Sequence, residues 1–140
     1  MCVILGVNLI GRFKKDPVDE DMKPVHQWLE RKNGKIVYSD TEKFRREWDK
    51  GGGYTLRRQL QRRDKLKLVS DQDVQEEIKK IEDKIKSDDP HIIALALIAE
   101  VKVLVSKDNK LIADFKVQVS QGKVYKTKSH RHLLTKDTCP

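Results

Sequence analysis

The sequence predicts an α/β protein, a three-layer α/β/α sandwich around a mainly parallel central sheet. Three observations point there. Short runs rich in Val, Ile and Leu alternate with longer stretches whose apolar residues recur every three or four positions. Proline, glycine and Asn-Gly breaks separate them. One stretch, Ile92 to Ala99, is apolar for eight residues, which is how a helix at the centre of a domain reads. Strands alternating with helices pair in parallel through right-handed crossovers, and such sheets bind ligands beyond the carboxyl ends of their strands.

The elements follow in order. Cys2-Val-Ile-Leu-Gly-Val is too short and apolar for a surface helix and reads as a buried strand. Val25, Trp28 and Leu29 form the inner stripe of a helix that Asn33-Gly34 closes. Lys35 to Ser39 is a second strand, and Thr41 to Lys50 is helical with Phe44 and Trp48 inward. After the Gly51-Gly-Gly break, Tyr54 to Asp64 is a helix with Leu56 and Leu60 on its inner face, and Leu66 to Ser70 is the third strand. Asp71 starts a helix burying Val74, Ile78, Ile81 and Ile85. Asp89-Pro90 is a helix start, aspartate as N-cap and proline in the first turn. Val101 to Ser106 is a strand, Asp108 opens a short helix ending near Phe115, and Lys123 to Lys126 is the last strand. One domain is expected over residues 1–128, with a polar, mobile tail over 129–140.

A chain of 140 residues holds one core, and its 37% hydrophobic residues are gathered into blocks dense enough to fold. No run approaches the length of a membrane span, and hydrophobic sequence begins at Cys2 with no basic leader, so a cytoplasmic protein is expected. Two cysteines at the extremities make no disulfide framework and read as inert. Net charge is +8, carried unevenly: residues 1–70 have 17 basic and 10 acidic side chains, residues 71–140 have 13 and 12. Such an excess on one part of the chain points to a polyanion, with a merely soluble basic protein as the alternative.

Three acids fall where this topology places a ligand. Asp108 follows a strand directly, Asp89 opens the buried helix, and Glu47 lies on the helix after the second strand. Carboxylates converging on one point repel unless a cation holds them, and hard oxygen ligands favour Mg²⁺ or Mn²⁺. That chemistry suits phosphodiester hydrolysis. Each acid also has a plainer role, Asp89 and Asp108 as N-caps and Glu47 on a solvated helix face.

Asp89-Pro-His-Ile-Ile-Ala-Leu-Ala, followed by Leu-Val-Ser-Lys-Asp108-Asn-Lys-Leu-Ile-Ala-Asp-Phe, resembles the second half of a PIN domain. Val3-Ile-Leu-Gly6-Val-Asn8-Leu-Ile is similar to its first strand and turn, and Arg45-Arg-Glu47-Trp to its middle acidic motif. The resemblance spans residues 1–126 in element order. It implies a small Rossmann-like sandwich, a metal-dependent endoribonuclease, and in particular the VapC-like toxin of a toxin–antitoxin pair. RNA as substrate, an antitoxin protein as partner and a homodimer are implied with it. Glu47, Asp89 and Asp108 would be the catalytic and metal-binding acids; Asn8 would order the first turn and Ser106 line the pocket. His91 would close the start of the buried helix, Asp88 is the adjacent alternative to Asp89, and Asp114 is either a further acid near the pocket edge or, as expected here, on a partly solvated helix position.

One departure from the family is conspicuous. Where it carries its first aspartate, this chain has Gly6, which has no side chain to hold a metal and loosens a buried strand. Two accounts fit: an Asp→Gly change that disarms a toxic nuclease, or a natural member that has lost catalysis and kept RNA or partner binding. Both predict impaired metal binding. Elsewhere, Arg57, Arg58, Arg62 and Arg63 form a basic stretch in which Arg58 and Arg62 stack four apart, a rail for RNA phosphates or a solvated face. Trp28, Trp48, Phe44 and Tyr38 fall at core spacings, while Tyr125 and the Lys126–His132 tail are weaker candidates for RNA contact. His130-x-His132 with Cys139 lacks a paired-ligand pattern, and no phosphate loop, serine elbow or cysteine–histidine pair occurs.

Overall fold

The computed structural model describes residues 2–138. Five strands form one wholly parallel sheet: β1 (Val3–Leu5), β2 (Ile36–Ser39), β3 (Leu66–Val69), β4 (Val103–Val105) and β5 (Lys123–Tyr125), in the spatial order β3-β2-β1-β4-β5. Around it lie α1 (Ile10–Lys14), α2 (Lys23–Arg31), α3 (Glu42–Lys50), α4 (Tyr54–Arg62), α5 (Asp71–Ile81), α6 (Pro90–Ile98) and α7 (Asn109–Gln118). The expected α/β sandwich is therefore present. Right-handed crossovers would put the connections from β1 to β3 on one face and those from β3 to β5 on the other, with α3 and α6 nonetheless in contact, Phe44 against His91.

Side-chain chemistry sets the element boundaries. Thr41 and Ser70 accept from the main-chain N–H groups of Phe44 and Asp73, capping α3 and α5. Gly34 lets the chain pass close behind α2, since a Cβ there would come within 2.4 Å of the Trp28 ring. The centre of the sheet is wholly apolar: Val3, Ile4 and Leu104 are completely buried. His91 to Ala96 of α6 are buried as well, as a helix apolar on every side requires. Phe44, Trp48 and Tyr38 pack edge-on and stacked beneath α3, and with Trp28 they are core residues as expected.

Four expectations need correction. The first strand ends at Leu5 rather than Val7; a 3-10 turn over Val7–Leu9 leads into α1, burying Leu9, Ile10 and Phe13. Residues 128–138 are folded against the domain and are not the loose tail expected there. It forms 3-10 turns over Lys128–Leu133 and Lys136–Thr138. Leu134 is buried, and the Lys128 N–H donates to Asp21 at 3.1 Å. His130 is spent on this packing, its Nδ1 accepting from the N–H groups of Lys126 and Thr127. Tyr125 is fully buried with its hydroxyl on the Asp21 carbonyl, its pKa pushed up to about 12 by burial and Asp21, so it has no face for RNA. Cys2 is disulfide-bonded, against the expectation of two inert thiols, and Cys139 lies outside the described residues.

Candidate metal centre

Strand order locates the site. Consecutive connections from β1 run one way to β2, while β4 pairs on its other side, so the carboxyl ends of β1 and β4 flank a topological switch point. A pocket of about 30 Å³ opens there, lined by Gly6, Asn8, Glu47, Asp89, Ser106 and Asp108 among others. That is space for about two waters, which suits an ion better than a metabolite. Phe44, Trp48, Ile92 and Leu111 supply apolar walls.

The three acids reach the pocket from α3, from the start of α6 and from the turn after β4. Their plainer roles divide. Asp108 is a working N-cap, its Oδ1 accepting from Lys110 and Leu111 N–H at 3.1 and 3.2 Å. Asp89 stands at the N-cap position of α6 but makes no side-chain cap bond, so capping does not account for it. Glu47 is not on an open helix face; its side chain is only 28% exposed. Burial raises the Glu47 carboxyl pKa, with Asp89 adding to the rise and Lys43 opposing it. Burial also raises that of Asp89, against Lys43 and with help from Asp108. Two partly desolvated carboxylates that each disfavour the other's charge are the arrangement a cation relieves. Asp88 is exposed and lends only its carbonyl, to Lys43 Nζ at 2.7 Å, so Asp89 is the acid in the pocket.

His91 is the residue the sequence misplaces. It is 2% exposed, and its Nε2 lies 3.2 Å from Glu47 Oε1 without hydrogen-bond alignment; neither ring nitrogen has a hydrogen-bond partner. It therefore closes nothing at the start of α6. Burial holds its pKa down to about 4, with Lys43 contributing, so the contact is imidazole to carboxylate and not an ion pair at neutral pH. One ligand atom each from Glu47, Asp89 and His91 lie within 4.8 Å of one another. The donor chemistry fits a divalent cation; Glu47 and Asp89 share the pocket with Asp108, while His91 is not among the pocket's lining residues and meets it only through those two acids. The signal was Asp89-Pro-His91 at a helix start; only the facing Glu47, 44 positions earlier, gives it meaning.

The remaining candidates fall as follows. Gly6 has extended backbone (φ −62°, ψ 137°), which any residue adopts, and donates its N–H to the Val105 carbonyl at 2.7 Å. A Cβ there would stand 3.0 Å from that carbonyl oxygen and 3.3 Å from Ser106 Cβ and Oγ. Ser106 is buried, its Oγ accepting from Asp108 N–H at 3.1 Å. Asn8 is exposed at the rim, and the first turn is closed by Leu9 N–H on the Gly6 carbonyl, not by the Asn8 side chain. Asp114 is not solvated: it is 4% exposed and accepts from the N–H groups of Lys86 and Ser87 at 3.1 and 2.8 Å, anchoring the approach to α6. On α4, Arg57 is tucked over the Tyr38 and Tyr54 rings, while Arg58, Arg62 and Arg63 are exposed.

Among the described residues, no helix is long and apolar enough to cross a membrane. No family model, curated protein or solved structure matches the chain.

Proposed function

We propose that the chain is a metal-dependent endoribonuclease of PIN type, the toxin of a toxin–antitoxin pair, impaired as it stands by Gly6. One observation carries the reading: Glu47, Asp89 and Asp108, from three separate elements, line one small pocket at the switch point of a parallel sheet, with Gly6 at its floor. Glu47 and Asp89 would hold Mg²⁺ or Mn²⁺, with Asp108 beside them. Such an ion, when bound, offsets charge on a phosphodiester and makes water nucleophilic at neutral pH. The chain's own part is to keep the carboxylates together and partly desolvated, and to wall the pocket with Phe44, Trp48 and Leu111. Exposed Arg58, Arg62 and Arg63 would meet RNA phosphates, and an acid-blocking antitoxin and a second copy of the chain are the partners proposed with this reading.

Gly6 favours a second reading, a non-catalytic module that binds RNA or an antitoxin through the same surface. Cleavage of a mixed RNA pool separates the two. The chain as given and Gly6→Asp are compared with Mn²⁺ and with EDTA. Metal-dependent cutting by the aspartate form supports the nuclease; RNA binding with no cutting by either form supports the module.

A further inference from the structure

We infer that His91 is itself a ligand of the cation site, so that the site selects a first-row transition-metal ion such as Mn²⁺ over Mg²⁺. This rests on reading Glu47 and Asp89 as cation ligands, and deepens it.

A buried imidazole ordinarily has its ring nitrogens occupied, because an unpartnered polar atom away from water is costly. His26 obeys that rule, its Nε2 within 2.7 Å of the Phe13 carbonyl oxygen, and so does His130 through its two main-chain donors. His91 does not: it is 2% exposed and neither nitrogen has a hydrogen-bond partner. Its Nε2 faces a carboxylate oxygen at 3.2 Å out of line for a hydrogen bond. Two atoms bound at about 2.1 Å to the same ion stand about 3 Å apart when adjacent in its coordination sphere. The Glu47–His91 spacing has that size, and Asp89 lies within 4.8 Å of both. Lys43 Nζ donates to the Asp88 carbonyl at 2.7 Å and not to any of the three ligand atoms, although its charge acts on all three side chains.

Local sequence explains the placement. Pro90 holds the first turn of α6, so Asp89 and His91 leave the chain two residues apart, while Glu47 comes from α3 packed alongside. The consequence is chemical. An all-oxygen site suits Mg²⁺, which tolerates few substitutes for oxygen; one imidazole moves the preference towards ions that accept nitrogen. Gly6 removes an oxygen where the PIN pattern has one, and His91 supplies nitrogen within the same cluster.

The test is pulsed electron paramagnetic resonance of Mn²⁺ bound to the full chain, free of a histidine tag and in a nitrogen-free buffer. The expected result is modulation from a directly coordinated nitrogen, lost in His91→Gln. Mn²⁺ should also bind the unaltered chain at least about tenfold more tightly than Mg²⁺, and His91→Gln should narrow that gap. Bound Mn²⁺ showing no nitrogen coupling in the unaltered chain overturns the proposal and leaves an all-oxygen nuclease site standing. That measurement needs no variant, so a folding failure of His91→Gln does not rescue the idea. No Mn²⁺ binding at millimolar metal overturns both this proposal and the cation site. Nitrogen-coupled Mn²⁺ in a chain whose Gly6→Asp form cuts no RNA sustains the ligand assignment and removes the nuclease.

Discussion

Trp28 donates its indole N–H to the main-chain carbonyl of Thr135 at 2.9 Å, tying α2 to a segment 107 residues further along the chain. Beside it Leu134 is 4% exposed. The segment carrying Leu134 and Thr135 is thus part of the folded domain. Leu134→Ala should cost about 2–3 kcal/mol and Trp28→Phe about 1 kcal/mol, both read from urea denaturation midpoints. An unchanged midpoint in both would mean that the segment is undocked in solution.

In saturating Mn²⁺, which would offset repulsion between the added carboxylate and Glu47 and Asp89, Gly6→Asp should change stability by less than about 1 kcal/mol. Replacing glycine in extended backbone stabilises by about 0.5–1 kcal/mol, while a Cβ 3.0 Å from the Val105 oxygen must push that strand end aside by a few tenths of an ångström. Thermal melts of the two forms check this, and a loss above about 3 kcal/mol would mean that the close approach of β1 and β4 cannot yield.

Asp108 allows cap and charge to be separated. Asparagine caps as well as aspartate, so Asp108→Asn should leave the melting temperature nearly unchanged, while Asp108→Ala should cost about 1 kcal/mol. In a Gly6→Asp background that cleaves RNA, Asp108→Asn should abolish cleavage. Retained cleavage would confine Asp108 to capping.

Asp114 should make the fold acid-sensitive. Burial alone would raise its pKa, but the hydrogen bonds from Ser87 and Lys86 outweigh that and hold it below the ordinary value. A folded-state pKa below the unfolded one gives stability that is full above pH ~4 and lost as pH falls through the folded value. Melts from pH 6 to pH 2.5 should therefore fall more steeply for the unaltered chain than for Asp114→Asn. Parallel curves would refute the assignment.

The arginines of α4 should behave differently from one another. Arg62→Ala should leave stability unchanged and reduce the salt dependence of RNA binding by about one phosphate contact. Arg57→Ala should instead destabilise, by about 0.5–1 kcal/mol, because its guanidinium lies 5.6 Å from the Tyr38 ring centroid and 5.3 Å from that of Tyr54. Filter binding across a salt series and urea melts read the two effects.

The strands are legible because they are short, apolar and bounded by turn residues, and the helices from Lys23 onward because their inner stripes are regular. Helix α1 escapes notice: it has five residues, a glycine within it and no capping side chain. The closing segment reads as loose because its anchors are single residues, Leu134 and the Thr135 carbonyl, and the partner of that carbonyl, Trp28 on α2, lies 107 residues away. The same limit governs the site. Chain order brings Glu47, Asp89 and Asp108 to one edge, whereas the fates of His91 and Asp114 are set by facing residues that no local pattern reveals.

The placement of β1 between β2 and β4 also has a consequence for synthesis. Val3–Leu5 pairs with β2 on one edge and with Val103–Val105 on the other, and the second pairing can form only once Val103–Val105 has been synthesised. Gly6, Glu47 and Asp89 are made before that event and Asp108 after it. The pocket can therefore be complete only after Asp108 has been synthesised, so that, on the nuclease reading proposed above, a shorter nascent chain would lack the assembled site.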